Sequence, residues 1–343
     1  MKRAWRTVLA GWCIVLGAGL SGCGGGAGDG EAVDAAGPAA AARSDVKQAQ
    51  AFRSATGFGG NGWYWNPAEP GTGFMFEAQG DAAFVGFFMY EAGTGKAVWY
   101  AAYGVFLADD AGRHFFFGDL RRYGGGQPIS SPTVPAGGGS TSLGPVSIQF
   151  PAQGGAQVLL PGGRSIAATR FDFNGQGGTA RAFQPETGWY WNPQQGGRGY
   201  AIEVQNDRLF MAMFHYNEDG SPTWHLVQGD LASGALVAPF EAYEGGQSLT
   251  SAFAPGGTRN ARGGFAVGFR HPCGGQVQRA GAAPVTIQRF PIPDSGLAPG
   301  AECRTALTAP DVAPAAHEGV WSDALKSALA DLPVFHPGDV VDG

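Results

Sequence analysis

The residues best suited to chemistry are a carboxylate and an amide that occur twice in the same setting. Glu77 and Gln79 stand two positions apart in a largely apolar run, and Glu203 and Gln205 repeat that arrangement. Residues two apart on a strand share a face, so each pair would project from one surface. Carboxylates and amides beside aromatic rings suit hydroxyl-rich ligands such as sugars, because the rings stack on apolar sugar faces.

Aromatic residues on the neighbouring predicted strands complete the candidate ligand-binding set, namely Tyr90, Trp99, Tyr216 and Trp224. The alternative is structural: the polar groups satisfy backbone partners and the rings fill a core. A hydrolase is a further alternative, in which Glu77 and Glu203 meet between the copies, since glycoside cleavage needs two acids about 5–10 Å apart. No other catalytic residues are assigned, because the sequence has no G-x-S-x-G element.

These residues belong to a duplication that covers most of the chain. The motifs Gly-Trp-Tyr-Trp-Asn-Pro, Tyr-x-Gly-Gly-Gln and Arg-Phe each occur twice, at 62–67 and 188–193, 123–127 and 243–247, and 170–171 and 289–290. The repeat is much longer than a solenoid unit of about 20–50 residues. It therefore predicts two copies of a whole domain.

Each copy has short apolar or alternating runs between Gly, Asn and Asp turns, and no helical periodicity. This pattern predicts an all-β chain with two tandem domains of eight antiparallel strands, each a closed barrel or a two-sheet sandwich. Strands are expected near 62–66, 73–79, 83–90, 97–104, 114–122, 145–150, 156–160 and 165–173, and near 188–192, 199–205, 208–216, 222–229, 236–243, 264–270, 275–279 and 284–290.

The second strand of each copy has one apolar face, with Phe74 and Phe76 in the first copy, and one face with the Glu–Gln pair. The third and fourth strands are apolar on both faces, so their outer faces should pack together between the repeats. Glu77 and Glu203 are then expected at the rim. The residues expected in or near the contact are Phe87, Met89, Tyr100, Met213, His215 and His225.

His215 and His225 flank a turn and could be cross-strand neighbours. Two imidazoles alone are an incomplete metal site, so surface or interface histidines are predicted. We expect no metal and no cofactor.

Tryptophan on the first strand and arginine on the last resemble the calycin pattern of lipocalins and avidins. The residues are Trp63, Trp65 and Arg170 in the first copy and Trp189, Trp191 and Arg289 in the second. The resemblance implies that arginine lies on an indole face and closes the barrel. The ordered motifs also resemble those of a family of secreted bacterial proteins to which we attach no chemistry.

The N-terminus predicts export and lipidation. Lys2, Arg3 and Arg6 precede an apolar stretch that ends in Leu-Ser-Gly-Cys at Cys23. That sequence resembles a bacterial lipobox, which implies cleavage before Cys23 and acylation of its thiol. Gly24 in place of Asp resembles an outer-membrane address, on the periplasmic or the outer side.

The predicted organisation is a signal peptide 1–22, a Gly/Ala-rich flexible tether 23–55, repeat 1 at 56–173, a linker 174–187, repeat 2 at 188–293 and an extension 294–343 with a helix over 320–332. Cys273 and Cys303 are predicted to form a disulfide that fastens the C-terminal segment to repeat 2, and two buried thiols are the alternative.

With 343 residues, 15% charged, and a net charge of −6, the chain has no basic cluster, so nucleic acid is not an expected partner. The expected partners are the membrane through the lipid anchor, a glycan or other small molecule, and the intramolecular repeat–repeat contact.

Overall fold

The computed structural model describes residues 52–55, 57–126, 128–129, 139–175, 184–231, 234–251, 253–304, 327–328 and 330–331. Residues 50–343 form one compact unit. The predicted signal peptide, Cys23 and most of the predicted tether lie outside the described residues, as does most of the predicted helix 320–332. Among the described residues, no helix is long and apolar enough to cross a membrane.

The described residues form two closed antiparallel barrels of eight strands each, as predicted. Barrel 1 comprises β2 (Gly62–Trp65), β3 (Gly73–Gln79), β4 (Ala82–Tyr90), β5 (Ala97–Ala108), β6 (His114–Gly124), β7 (Gly139–Phe150), β8 (Ala156–Leu159) and β9 (Ser165–Arg170). Barrel 2 comprises β10 (Gly188–Trp191), β11 (Gly199–Gln205), β12 (Arg208–Tyr216), β13 (Pro222–Asp230), β14 (Ala235–Glu244), β15 (Thr258–His271), β16 (Gly274–Arg279) and β17 (Val285–Arg289).

Sequential hairpins build each barrel, and the first strand closes it on the last. Tyr64 pairs with Arg170 and Tyr190 pairs with Arg289, so β2 meets β9 and β10 meets β17. The tight β11–β12 turn places Asn206 at a φ of 51°, a left-handed conformation that Asn tolerates better than most residues. Sheet closure leaves both barrels without open edges.

The alternation along β3 and β11 sorts the side chains as predicted. Phe74 and Phe76 lie in the core of barrel 1, and Tyr200 and Ile202 lie in the core of barrel 2. The alternate residues of both strands point outward towards the other barrel, as Met75 does. The outward face is therefore buried as well.

Aromatic rings fill the interior of barrel 1. Phe58, which precedes β2, packs against Phe76, Phe106 and Phe150 with ring centroids 5.7, 4.9 and 5.0 Å away. Eight-stranded barrels are just wide enough for side chains or one small ligand. In barrel 1 that space holds the protein's own rings.

A column of rings likewise occupies barrel 2. His215 stacks on His225 at 4.8 Å, His225 on Phe240 at 4.4 Å, and Phe240 on Phe265 at 4.9 Å. Both interiors are thus packed cores.

Two features extend the predicted organisation. Arg53 and Ser54 form a two-residue strand, β1, that pairs with Ala108 and Leu107 of β5, so the last part of the predicted tether is ordered on barrel 1. Cys273 and Cys303 form a disulfide, which rejects the alternative of two buried thiols. The bond fastens the segment after β17 to barrel 2.

Candidate functional site

The candidate ligand-binding residues of both repeats meet at one place, the contact between the two barrels. All eight are buried: Glu77, Gln79, Tyr90, Trp99, Glu203, Gln205, Tyr216 and Trp224. We call this region the inter-barrel contact and describe it from its polar groups outward.

The carboxylate of Glu77 in β3 binds barrel 2. Its Oε2 accepts a hydrogen bond from the backbone N–H of Trp189 at 2.7 Å, and its Oε1 is ion-paired with the guanidinium of Arg289. Glu77 and the Arg289 side chain are 0% and 2% exposed. A buried charge persists only when it is paired and hydrogen-bonded, and here both conditions are met across the contact.

Gln79 supports this carboxylate and holds the chain that follows β17. Its Nε2 donates to Glu77 Oε1 at 2.9 Å and to the carbonyl of Phe290 at 2.9 Å. Its Oε1 accepts from the backbone N–H of Ile292 at 2.9 Å. The amide therefore positions the carboxylate and satisfies backbone groups of the other barrel.

Repeat 2 makes the reciprocal contacts. Glu203 Oε2 accepts from the backbone N–H of Trp63 at 2.8 Å, and Oε1 accepts from Arg170 Nη2 at 2.5 Å. Gln205 donates to Glu203 Oε1 at 2.9 Å and to the carbonyl of Phe171 at 2.8 Å. Each barrel thus uses the same surface on the other, which is the arrangement of an isologous dimer.

The first glycine of each Gly-Trp-Tyr-Trp motif is required by this geometry. A Cβ on Gly188 would lie 1.7 Å from Arg289 Nη1 and 2.4 Å from Glu77 Oε2. A Cβ on Gly62 would lie 2.0 Å from Arg170 Nη1 and 2.4 Å from Glu203 Oε2. Only glycine lets the ion pair approach the backbone of the strand.

The motif tryptophans form the apolar part of the inter-barrel contact. Trp63 packs between Phe88 of its own barrel and Phe210 of barrel 2, with ring centroids 5.1 and 5.2 Å away. Trp189 packs on Phe84 of barrel 1 at 4.9 Å. The Trp63–Phe210 and Trp189–Phe84 pairs pack edge to face, and each pair of this kind adds about 0.5–1.5 kcal/mol beyond the burial of area.

Trp99 and Trp224 cross the contact in opposite directions. The indole N–H of Trp99 donates to the carbonyl of His215 at 3.0 Å, and that of Trp224 donates to the carbonyl of Met89 at 3.1 Å. Their rings stack on Tyr123 and Tyr243 of their own barrels, 5.1 and 5.6 Å away. Both donors are therefore satisfied by the other barrel.

The Tyr-x-Gly-Gly-Gln loops bind the remaining tyrosines. A Cβ on Gly246 would lie 2.1 Å from the ring of Tyr90, and one on Gly126 would lie 2.0 Å from the ring of Tyr216. The backbone N–H of Tyr90 donates to the carbonyl of Gln247 at 3.1 Å. In the sequence these loops are marked only by the repeated motif. Glycines at the same positions of both copies are the signal that another group lies against the backbone there.

The prediction of which face of the third and fourth strands packs between the barrels is wrong by one residue. Phe87, Met89, Tyr100 and Met213 lie in the barrel cores, and the contact uses the alternate residues, such as Phe88 and Trp99. Periodicity cannot separate two apolar faces. The two-residue turn that pairs Gln79 with Ala82 places Phe74 opposite Phe87, and this register would have assigned Phe87 to the core.

The expected position of the two carboxylates is also corrected. Glu77 and Glu203 are 0% and 3% exposed, so they lie inside the contact and not at its rim. Each binds a different arginine and a different backbone N–H. Paired in this way, they hold the other barrel, and their role in binding a ligand stays a prediction.

The arginines lie over tyrosine and not over tryptophan. The guanidinium carbon of Arg170 is 5.2 Å from the ring centre of Tyr64, and that of Arg289 is 5.3 Å from Tyr190. The motif tyrosines point into the barrels, while Trp63 and Trp189 point out to the partner. The remaining motif tryptophans, Trp65 and Trp191, pack on Phe171 and Phe290, each at 5.3 Å.

His215 and His225 lie inside barrel 2, stacked on each other and on Phe240. The prediction that they are surface or interface histidines is wrong. His215 Nδ1 lies 3.1 Å from the carbonyl of Tyr216, so it carries the proton, and Nε2 accepts from His225 Nδ1 at 2.7 Å. Burial lowers the pKa of His215 to about 3, and burial also lowers the pKa of His225 well below its usual range. Both rings are therefore neutral near pH 7.

One group of potential metal ligands occurs in the part of the chain that the structure describes: Glu186, Cys273 and Cys303. The two sulfurs are joined in the disulfide, which leaves one carboxylate and no thiolate for a metal.

Comparisons of the chain with protein-family models, curated proteins and solved structures found no match.

Removal of the Glu77 carboxylate should destabilise the protein more than removal of Glu203. Glu77→Ala removes the nearer carboxylate from Arg289, whose side chain is 2% exposed, and leaves it with Glu186 at 3.8 Å, so we expect a loss of about 3 kcal/mol in the free energy of unfolding. Glu203→Ala leaves Arg170, which is 21% exposed and can be hydrated, so its cost should be about 1–3 kcal/mol.

Urea denaturation of both variants tests this order. The matched control is Asp110→Ala, which breaks the exposed pair with Arg53 and should change stability by about 0.5 kcal/mol or less. Equal or negligible losses for Glu77→Ala and Asp110→Ala would contradict the account.

The neutral histidine pair should make the protein acid-sensitive. Because the folded-state pKa of His215 is lowered to about 3, its stabilising contribution is complete above its ordinary value of 6.5 and is lost as pH falls towards 3. Each histidine should contribute a loss of about 1.4 kcal/mol per pH unit below that value.

The chain supplies its own control for this prediction, since Met89 and Tyr100 occupy the equivalent positions of barrel 1. Grafting them as His215→Met with His225→Tyr should flatten the dependence of melting temperature on pH between 7 and 5. The same slope in the variant and the parent would show that the pair is not responsible.

Proposed function

We propose that the protein is a lipid-anchored envelope protein that serves as a rigid interaction module and performs no chemistry of its own. The observation that carries this proposal is the use of the duplicated residues. Glu77, Trp99 and their counterparts bind the other barrel, so these duplicated polar groups are already occupied by contacts within the protein. The duplicated residues therefore serve to join the two barrels into one rigid unit.

The packed interiors support the same proposal. Barrel 1 is filled by phenylalanines around Phe58, and barrel 2 by the stack from His215 to Phe265. A small cavity between the barrels is lined by Phe84, Gly86, Phe88, Trp99, Ala101, Trp189 and Phe214. The indole N–H groups of Trp99 and Trp189 already donate to carbonyls, so this cavity offers no free recognition group.

The contacts of the two carboxylates give no support to a hydrolase. A general acid or base must reach substrate, whereas Glu77 is completely buried and accepts a hydrogen bond at each oxygen. Glu203 is held by Arg170 and Trp63 in the same way. Partners of the module would accordingly be bound on its outer surface.

The anchor is supported by the lipobox at Cys23 and by the Gly/Ala-rich segment that precedes Phe52. Two or more acyl chains suffice for stable attachment to a bilayer. The anchor would then keep the compact unit within reach of the membrane, with barrel 1 nearer to the anchor along the chain.

Cys23→Ser should abolish acylation and release the protein from the membrane fraction. Metabolic labelling with a fatty-acid analogue and fractionation of the envelope measure the two effects. The control is Cys13→Ser, which removes a cysteine upstream of the predicted cleavage site and should leave labelling unchanged.

Two results would count against the proposal. Unchanged labelling and fractionation of Cys23→Ser would refute the anchor. A saturable rise in the melting temperature of the purified protein with a small glycan would instead indicate a ligand-binding protein, because a ligand that binds only the folded state stabilises it by mass action.

A further inference from the structure

Barrel 1 has an apolar stripe on its outer surface that the inter-barrel contact does not use. The stripe consists of Phe52, Val105, Leu107, Phe115 and Phe117, with Val105 and Phe117 52% and 43% exposed. Val105 lies directly opposite Phe117, and Leu107 lies opposite Phe115. Directly opposed residues share a face, so the side chains form one continuous surface.

The barrel architecture does not require this surface. At the equivalent positions on β13 and β14 of barrel 2, Asp230 replaces Val105 and Ala235 replaces Phe115. Asp230 is exposed and forms a salt bridge with Arg208 at 3.4 Å. At these positions barrel 2 has one charged residue, Asp230, and two smaller apolar residues, Ala235 and Val237 in place of Phe115 and Phe117. The large exposed apolar surface is therefore specific to barrel 1, which points to a role of that barrel.

The chain enters the described structure at this stripe. The ring of Phe52 packs edge-on against Phe115 with centroids 5.2 Å apart, and β1 pairs with the end of β5. Residues 24–51 separate this point from Cys23. Whatever its conformation, a chain of 28 residues spans at most about 100 Å, so an anchor at Cys23 would keep the stripe near the bilayer.

We propose that the stripe is a surface that docks on the lipid bilayer and orients barrel 1 against it. The proposal rests on the proposed lipid anchor for its biological setting, because the anchor would keep the bilayer within reach of the stripe. The anchor would raise the effective concentration of the membrane near the stripe, and the stripe itself should bind lipid strongly enough to be detected at high lipid concentration without the anchor. Burial of each exposed valine, leucine or phenylalanine supplies the attraction.

The charges around the stripe indicate which lipids it accepts. Arg53 is paired with Asp110 at 3.5 Å, and Arg113, which lies over the ring of Phe115, is paired with Asp109 at 2.7 Å. Arginines balanced by acids give no preference for anionic headgroups. Docking should therefore be apolar, occur on zwitterionic lipid and resist added salt.

Flotation with phosphatidylcholine vesicles tests the proposal on residues 50–343, which form a compact unit without the signal peptide or Cys23. The parent should float with the vesicles in low and high salt. Val105→Asp with Phe117→Lys, an opposite-charge pair on directly opposed residues, should reduce the bound fraction at least fivefold with little change in melting temperature. The matched control is Phe253→Asp, which alters a residue 46% exposed outside the stripe and should leave flotation unchanged.

Three outcomes would overturn the docking surface. The first is that the parent does not float. The second is that the double variant floats as well as the parent. The third is that neither protein binds vesicles, while the parent is a dimer and the double variant is a monomer. The last result would assign the stripe to a second copy of the chain. Because the protein tested lacks Cys23, none of these outcomes depends on acylation, and the labelling of Cys23→Ser decides the anchor separately.

Discussion

The structure depends on one interaction made twice: a buried carboxylate of each barrel that binds an arginine and a backbone N–H of the other. Glu77 and Arg289 are both almost completely excluded from water, so the loss of either partner leaves a buried charge poorly compensated. Arg289 would be left with Glu186 at 3.8 Å, and Glu77 with hydrogen bonds from Trp189 and Gln79. The pair also fixes its surroundings. Gly188 has no side chain because the guanidinium lies against its backbone, and Gln79 is held by the same carboxylate.

This constraint explains why the two copies share the residues that they share. In an isologous contact each surface is used by both partners, so a residue needed once is needed in both copies. Trp99 donates to barrel 2 while Trp224 donates to barrel 1, and the glycines of each Gly-Gly-Gln loop admit a tyrosine of the other repeat. The barrel surfaces outside the contact are free to differ, as the change from Val105 to Asp230 illustrates.

The sequence predicted the barrels and their strands closely because Gly, Asn and Asp turns and two-residue alternation are local signals. β3 and β11 run over the predicted residues, and Phe74 and Phe76 face the core as expected. The errors have a different origin. The arginines lie over tyrosine, and His215 points into barrel 2. Both were mispredicted because a strand that is apolar on both faces has no sequence pattern that shows which face meets the other barrel. Partner choice for Glu77 is set by residues more than a hundred positions away, beyond the reach of local patterns.

The most direct test divides the chain within residues 176–183 and measures the association of the two halves by analytical ultracentrifugation. If the duplicated residues exist to join the barrels, the halves form a one-to-one complex, and Glu77→Ala weakens it by two orders of magnitude or more, since each 1.4 kcal/mol is a factor of ten. Each half alone should self-associate through the same surface. Two stable monomeric halves that do not associate when mixed would contradict the account.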